Sequence, residues 1–340
     1  MRKEAYLVKP LSAGIVQCQA CEHFCAIKPG ESGKCGVRRN LDGTLYLVVY
    51  GTPVAIHVDP VEKKPLFHFN PGGDILSIGT YGCNFRCPFC QNWQMSQMRD
   101  FDDQRDYVGQ QATPEALVNT CLKNHIPMIA YTYNEPTVFF EYTYDTAKLA
   151  HEHGIKNVYV SNGYMSLAAL EMIGPYLDGI NVDLKAFTEE FYRQQCQARL
   201  EIVKRNIAHI AREMDTWIEV TTLLIPGLND SEDELKAMAA WLAEVDVDMP
   251  WHVTAFHPDY EMLDRPPTSS RALARAYEIG KEAGLHYVFV GNVMDADRES
   301  TYCPRCGAKL IQRHWFNVRE LWAERGVCHQ CGEKIAGVWR

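Results

Sequence analysis

The chain has 340 residues, with 34 Lys and Arg against 43 Asp and Glu and a formal net charge of −9 at pH 7. Hydrophobic residues make up 46% and charged residues 23%, a composition typical of folded globular proteins rather than disordered ones. The acidic balance argues against a nucleic-acid partner, since phosphate binding needs a concentrated basic surface. Neither a run of 18 apolar residues nor an apolar signal core occurs, so the sequence predicts a soluble, cytoplasmic protein without a membrane partner.

The 13 cysteines are the most informative part of this composition. Their number is odd, and all but Cys121 and Cys196 fall into three tight groups. A disulfide-stabilised secreted protein would usually be smaller and carry an even set. Spacings of two and three residues instead indicate metal binding in a reducing compartment. We interpret Cys121, in a helical pattern, and Cys196, in a polar one, as non-ligands.

The first cysteine group lies in the turn-rich segment 1–40 and has the spacing C-x2-C-x3-C-x9-C. This spacing leaves a closed zinc site and an auxiliary iron–sulfur cluster both open. His23 could also ligate, although four cysteines already suffice. The four are Cys18, Cys21, Cys25 and Cys35. Residues 44–58 then predict a hairpin or a pair of short strands.

From residue 75 the chain alternates strand patterns with helix patterns. Thr113 before Pro114 predicts one helix start, Ser231 with Glu234 predicts another as a capping box, and a further helix is expected over 270–283. The predicted strands are 75–82, 128–134, 157–163, 179–186, 217–227 and 252–257, with 285–293 as a possible addition.

This alternation predicts an α/β fold with a parallel sheet, and six units are too few for a closed barrel of eight strands. The expected fold class is a partial (β/α)6 TIM-like barrel over 75–299. A Cys-rich segment with a hairpin, 1–74, precedes it, and a metal ribbon, 300–340, follows. Because chemistry in such folds lies at the carboxyl ends of the strands, we expect one rim of strand-end residues. These are Cys83, Asn134, Asn162, Asp183, Pro226 and His257.

The second cysteine group, Cys83, Cys87 and Cys90, follows the first predicted strand with the spacing C-x3-C-x2-C. Three thiolates on one loop can bind three irons of a [4Fe–4S] cube. The loop offers no fourth ligand, so one iron stays open to an exogenous ligand, as a catalytic metal requires. The alternative is a zinc site or an inert cluster.

The third cysteine group forms C-x2-C…C-x2-C near the end of the chain, with a glycine after each pair. Glycine lets the backbone N–H groups turn toward sulfur. The spacing predicts a four-thiolate structural site, a zinc ribbon, and a rubredoxin-like single iron is the alternative. The ligands would be Cys303, Cys306, Cys328 and Cys331.

The run CNFRCPFC, with Phe89 before its last cysteine, resembles the signature of radical S-adenosylmethionine (SAM) enzymes. This resemblance implies that the open iron binds the amino and carboxylate groups of SAM. Reductive cleavage then gives methionine and a 5′-deoxyadenosyl radical, which abstracts hydrogen from a substrate. It also implies a reduced flavodoxin- or ferredoxin-type electron donor.

Other strand ends resemble motifs of glycyl-radical enzyme activases. Asn134 and Glu135 in YTYNEPT stand where those enzymes carry Gly-Gly-Glu, which suggests contact with the methionyl group of SAM. Ser161 in SNG, with Asp183 and Lys185 in VDLK, resembles the motifs beside the methionyl carboxylate and the ribose. The alternatives are a simple turn and a rim ion pair. The segment LLIPGLND (223–230) resembles the part that packs against adenine.

The segment FHPDY (256–260) adds His257 and Asp259, which could position a substrate or pass a proton. A histidine at a strand end can equally be structural. Across nearly the whole chain, the series of motifs resembles the radical enzymes of the AmmeMemoRadiSam system, which are similar to pyruvate formate-lyase activating enzyme. That resemblance implies Memo-like and AMMECR-type partner proteins but no substrate.

Three functions follow from these patterns. The first is a radical SAM enzyme acting on an unidentified substrate. The second is an activase that acts on a glycine of another protein. The activase-like strand ends favour it, and the extra cysteine groups argue against it, since a minimal activase needs only an open rim for a peptide. The third is a metal-stabilised binding or electron-transfer protein without catalysis, which the two outer cysteine groups would suit but the open C-x3-C-x2-C site would not.

Overall fold

The computed structural model describes residues 1–98 and 110–339. The chain forms two compact units, and each takes sequence from more than one of the three predicted segments. The first unit contains Met1–Asp59, Asp74–Gly179 and Cys196–Ala198, and the second contains Pro60–Gly73, Ile180–Gln195 and Arg199–Arg340.

The first unit contains two small antiparallel sheets followed by alternating strands and helices. Its strands are β1 (Lys3–Glu4), β2 (Val8–Pro10), β3 (Val16–Cys18), β4 (Ala26–Ile27), β5 (Arg38–Leu41), β6 (Thr44–Leu47), β7 (Ala55–Pro60), β8 (Asp74–Gly79), β9 (Met128–Tyr131) and β10 (Lys156–Ser161). Its helices are α1 (Trp93–Ser96), α2 (Pro114–Asn124), α3 (Phe140–Glu152) and α4 (Leu167–Ile173).

Strands β7, β8, β9 and β10 are neighbours in that order, and β8 pairs with β9, and β9 with β10, in parallel. Helices follow β8, β9 and β10 along the chain. Both faces of β9 are buried, as in parallel sheets that are covered by helices on each side. The two antiparallel sheets, in the orders β1-β6-β5 and β2-β3-β4, belong to the Cys-rich segment.

The second unit continues the alternation and ends in a small antiparallel sheet. Its strands are β11 (Gly179–Asp183), β12 (Trp217–Leu224), β13 (Trp251–Ala255), β14 (Val288–Gly291), β15 (Thr301–Tyr302), β16 (Lys309–His314) and β17 (Asn317–Glu320). Its helices are α5 (Glu189–Phe191), α6 (Leu200–Glu213), α7 (Glu232–Val245) and α8 (Ser270–Glu282), and a short π-helix spans Tyr192–Cys196.

Strands β11, β12, β13 and β14 are neighbours in chain order, and β12, β13 and β14 pair in parallel. The predicted α/β class with a mostly parallel sheet is therefore confirmed, and 285–293 does contain a strand. The antiparallel sheet β15-β16-β17 carries the last cysteine group.

The predicted helix starts are confirmed in atomic detail. The Thr113 side chain accepts a hydrogen bond from the backbone N–H of Ala116, with Pro114 in the first turn of α2. Ser231 does the same for the N–H of Glu234 at the start of α7. Such caps satisfy N–H groups that the first helical turn leaves free, which is why short polar residues predict these positions well.

Candidate active site and metal centres

The C-x3-C-x2-C loop follows β8, as predicted, and its three cysteines are not in disulfides. Cys83 and Cys87 are buried, and Cys90 is partly exposed. The backbone N–H of Phe85 donates to Cys83 Sγ over 3.5 Å, and Cys90 Sγ lies 3.1 Å from Ser96 Oγ. Hydrogen bonds of this kind orient thiolate ligands and tune a metal.

Asn134, which follows β9, holds the backbone just before the cysteines of this loop. Its Oδ1 accepts the N–H of Thr80 over 3.1 Å, and its Nδ2 donates to the carbonyl of Gly82 over 2.7 Å. The side chain is buried and bonded on both of its polar atoms. Its contact with SAM stays a prediction. In the structure its side chain holds the backbone just before Cys83.

Glu135 is the hub of a buried network. Its carboxylate accepts the hydroxyl of Ser161, at 3.0 Å from each oxygen, and the N–H of Asn162 at 2.8 Å. Thr137 donates from both its N–H and its hydroxyl. Burial raises the pKa of Glu135, and these donors oppose that rise. The network fixes the backbone after β9 and β10 relative to each other.

Asn162 connects this network to the cysteine loop. Its Nδ2 donates to Asn84 Oδ1 over 2.7 Å and lies 3.9 Å from Cys83 Sγ. The first unit therefore brings together Cys83, Asn134 and Asn162, three of the strand-end residues expected on one rim. Asn84 did not stand out in the sequence, because nothing distinguishes it from any polar residue between two cysteines.

Cys196 also lies at this loop, at the end of the π-helix. Its Sγ is 3.8 Å from Cys87 Sγ, and its carbonyl accepts the N–H of Arg86. A lone cysteine 109 residues from its neighbour carries no signal in the sequence. Cys121 lies instead inside α2, where burial raises the pKa of its thiol to about 12.

The predicted site residues of the second unit form their own contacts. Lys185 Nζ and Asp183 Oδ2 are 2.9 Å apart. They form the ion pair that was the alternative to a SAM-binding role for these residues. Asn229 donates to the carbonyl of Lys185 over 2.6 Å and thereby ties 223–230 to the end of β11. That Asp183 and Lys185 lie beside the methionyl carboxylate and the ribose of SAM, and that 223–230 packs against its adenine, stay predictions.

His257 and Asp259 follow β13. The His257 side chain is 58% exposed, and its Nε2 lies 3.9 Å from Asp259 Oδ2. Asp259 also accepts the N–H of Tyr260 through Oδ1 at 2.7 Å, so part of its carboxylate shapes the turn. The catalytic role of His257 and Asp259 stays a prediction.

The donor set of the loop fits an iron–sulfur cluster. Burial, reinforced by the charge of Glu135, raises the pKa of the Cys83 thiol well above its ordinary value, so a thiolate there requires a cationic metal beside it. Thiolates are the ligands that such clusters prefer. Cys83, Cys87 and Cys90 would hold the cluster, which supplies low-potential electrons when bound. The N–H of Phe85 and the side chain of Asn134 would help to orient this loop around it.

The last cysteine group is compact. Its four sulfurs, from Cys303, Cys306, Cys328 and Cys331, all lie within 4.8 Å of one another, and two sulfur pairs are 3.6 Å apart. Although burial opposes it, the N–H groups of Cys331 and Gln330 lower the pKa of Cys328 to about 6. This group can therefore bind one metal ion.

Each half of this group forms the expected knuckle. Gly307 and Gly332 take positive φ values of 76° and 73°, and each N–H returns to the carbonyl of the first cysteine in its pair. Left-handed backbone of this kind favours glycine. Cys303 and Cys328 also belong to a buried cluster with Phe67, Tyr287 and Trp322, so the site is part of the core of the second unit.

The first cysteine group surrounds a cavity beside β3 and β4. Cys18 and Cys35 are buried, while Cys21 and Cys25 are partly exposed. His23 points its Nε2 at the carbonyl of Asn84, 2.9 Å away, so this ring nitrogen already has a partner. In the parts of the chain that the structure describes, no helix is long and apolar enough to span a membrane.

Comparisons with known proteins place this site in context. The family model described as the radical SAM superfamily matches residues 77–242, which include the C-x3-C-x2-C loop. A crystal structure of a radical SAM methyltransferase from Sphaerobacter thermophilus aligns with a TM-score of 0.52 at 15% identity, covering 66% of this chain and 67% of that one. At this identity the likeness concerns the fold alone.

Two proteins of Methanocaldococcus jannaschii are similar in sequence. An uncharacterised one is 41% identical over 336 residues, which cover 98% of each chain. Another, provisionally named as a glycyl-radical enzyme activating enzyme, is 26% identical over 210 residues, or 61% of this chain and 76% of its own. With three cysteines on the loop after a parallel strand and a family model that spans them, this chain belongs to the radical SAM superfamily.

Proposed function

We propose that this protein is an enzyme that cleaves SAM reductively and uses the resulting radical to abstract hydrogen from a substrate. The observation that carries the proposal is the loop of Cys83, Cys87 and Cys90, whose thiols are not in disulfides and of which Cys83 accepts the N–H of Phe85. Three cysteines leave one iron of a cubane cluster without a protein ligand on this loop. Family membership supplies the chemistry expected there.

The residues around the loop suggest how this chain would hold SAM. We propose that Asn134, Glu135 and Ser161 shape the methionyl site, since their hydrogen bonds fix the strand ends next to Cys83. We assign Asp183 and Lys185 to the ribose side on the motif resemblance. A rigid, preformed site of this kind orients the reacting bond and excludes water.

The test is reductive SAM cleavage by the anaerobically reconstituted full chain. With a strong reductant, the protein should form 5′-deoxyadenosine and methionine, measured by mass spectrometry, and SAM should change the paramagnetic resonance spectrum of the reduced cluster. Cys83→Ala should lower the product to background, because no other cysteine of the loop can replace it. Cys121→Ser, a buried cysteine in α2, is the control and should keep the activity.

The proposal is contradicted if the protein forms no 5′-deoxyadenosine and SAM does not change the paramagnetic resonance spectrum of its reduced cluster. That result would favour the non-catalytic electron-transfer function instead. Equal activity in Cys83→Ala and the unaltered chain would exclude the loop as the site.

Glycyl-radical activation is the second candidate function. The relative that is provisionally named as an activating enzyme favours it, as do the activase-like strand ends. Incubating the reduced protein and SAM with a purified glycyl-radical enzyme should then produce the doublet of a glycyl radical in the paramagnetic resonance spectrum. Product formation without that doublet would leave the small-molecule or other peptide substrate as the better proposal.

We also propose that the protein works in the AmmeMemoRadiSam system, with a flavodoxin- or ferredoxin-type electron donor, on the motif series that the whole chain carries. Purified Memo-like and AMMECR-type proteins should then bind this chain in sedimentation experiments. If this chain and those proteins sediment separately at all concentrations, the partnership is contradicted. That result would not bear on the proposed reaction.

A further inference from the structure

Four cysteines of the first unit line one cavity outside the catalytic loop. The cysteines that line this cavity are Cys18, Cys21, Cys25 and Cys35. All four thiols are free. Cys18 ends β3, Cys21 and Cys25 lie between β3 and β4, and Cys35 lies between β4 and β5. Four free thiols around one cavity form a complete ligand set for a metal group.

The spacing of these sulfurs argues against a single ion. Zinc with four thiolates holds the sulfurs about 3.8 Å apart, because each Zn–S bond is about 2.3 Å. The C-terminal group meets this requirement, with all four sulfurs within 4.8 Å of one another. Among residues 1–98 and 110–339, no other three His, Cys, Asp or Glu side chains have ligand atoms this close together. In a cubane cluster each thiolate binds a different iron, so the sulfurs stand roughly 6 Å apart.

Two buried donors on the cavity wall have no acceptor among the residues that the structure describes. Arg38 is 2% exposed, its Nη2 donates to Glu141 at 2.6 Å and its Nε to the carbonyl of Val138, yet its Nη1 has no partner. Asn84 is equally buried, and its Nδ2 has no partner either. Both residues line the cavity. Leaving such a donor unpaired costs about 1–3 kcal/mol, which points to an anionic or sulfur-rich group between them.

The cavity touches the catalytic loop directly. Asn84 on its wall follows Cys83 in the chain, and its Oδ1 is the atom that Asn162 binds beside Cys83 Sγ. A Cβ added to Gly82 would lie 2.5 Å from the carbonyl oxygen of Cys35, so the two cysteine segments meet backbone to backbone. Any group held in the cavity therefore lies next to the catalytic loop.

We propose that Cys18, Cys21, Cys25 and Cys35 bind an auxiliary iron–sulfur cluster of the [4Fe–4S] class beside the catalytic loop. Arg38, through Nη1, and Asn84, through Nδ2, donate hydrogen bonds to its sulfur atoms. This proposal goes beyond the proposed function, because the cluster would be present whether or not the chain cleaves SAM.

The first experiment counts iron, acid-labile sulfide and zinc in the unaltered chain after anaerobic reconstitution. Two cubane clusters give about eight sulfides per chain, and one gives about four. Sulfide is the deciding number, because a single iron at the C-terminal group would add iron but no sulfide. About eight sulfides support the proposal. About four sulfides with about two zinc ions overturn it.

The second experiment locates the additional cluster with variants. Removing the catalytic ligands, as Cys83→Ala, Cys87→Ala and Cys90→Ala together, should leave about four irons and four sulfides and the visible absorption of a cluster. Adding Cys21→Ser and Cys25→Ser should remove them, whereas adding Cys121→Ser should not. A chain without the catalytic ligands that binds no sulfide, or keeps it after both serine changes, would overturn the assignment. These variants do not need SAM cleavage, so their result is separate from that of the proposed function.

Discussion

At the C-terminal end of the chain four cysteine sulfurs lie within 4.8 Å of one another, whereas four cysteines near the N-terminus are spread around a cavity. The first group consists of two knuckles, and each is built by one C-x2-C-G segment that turns its own N–H groups toward sulfur. The second group has spacings of two, three and nine residues, and its ligands come from several turns. Repeated local geometry therefore produces a site for one ion, and assembly from separate turns leaves room for a larger group.

The C-terminal group should respond most strongly to the loss of its ligands. In Cys328→Ser with Cys331→Ser, we expect zinc to be lost and the free energy of unfolding of the second unit to fall by several kcal/mol, since structural zinc contributes about 10 kcal/mol or more in small domains. The effect should be large because Cys328 lies in the core with Phe67 and Trp322. Zinc analysis and thermal unfolding measure it, with iron and sulfide unchanged as the control. Loss of sulfide in this double variant would mean that the C-terminal group does not bind a single ion, which would contradict the difference between the two groups.

The contact between the N-terminal group and the catalytic loop can be tested at Gly82. Gly82→Ala would place a Cβ 2.5 Å from the Cys35 carbonyl oxygen at a φ of +87°, so we expect destabilisation by about 2–4 kcal/mol from overpacking and left-handed strain. Gly30→Ala is the matched control, because Gly30 has a φ of +81° and nothing within 4 Å of the added Cβ. It should lose only about 1 kcal/mol. Urea unfolding measures both, and equal losses would show that the contact is not close.

The anchoring of the catalytic loop should give the smallest effect. Asn134→Ala leaves the N–H of Thr80 and the carbonyl of Gly82 without this partner, so we expect a loss of about 1–3 kcal/mol and less iron bound at the loop after reconstitution. Asn124→Ala is the matched control, because that exposed amide donates only to a carbonyl of its own helix, and it should change stability by less than about 0.5 kcal/mol.

Iron content and SAM affinity distinguish the two roles of Asn134. Weaker SAM binding with unchanged iron would favour the predicted contact with the methionyl group. Lower iron with unchanged affinity in the chains that keep their cluster would favour loop anchoring. Spectroscopic titration of the reduced cluster with SAM measures the affinity.

Much of the fold follows from local patterns. Caps at Thr113 and Ser231 and the alternation of β-branched strands with amphipathic helices predicted the parallel α/β arrangement, because these signals act within one turn or one strand. Strand ends were less accurate. The predicted strand 217–227 ends at Leu224, since the segment after it turns and its backbone is held by the Asn229 side chain.

The candidate site was predictable only in part. The loop of Cys83, Cys87 and Cys90 stands out in the sequence, since its three ligands lie within eight residues. Cys196 does not, although its sulfur lies 3.8 Å from Cys87 Sγ, and the role of Asn84 depends on Asn162, which is 78 residues away. Contacts over such separations leave no periodic or spacing signal.

The sequence by itself determined the number of cysteine groups and the knuckles of the last one, because each depends on residues a few positions apart. Only the tertiary structure decided which group is compact and which surrounds a cavity. The backbone contact between Gly82 and Cys35 and the unpaired donors of Arg38 and Asn84 arise when distant segments pack together. The spacing of the cysteines in the sequence therefore predicts which residues are ligands. The packing of distant segments determines how large a metal centre those ligands can bind.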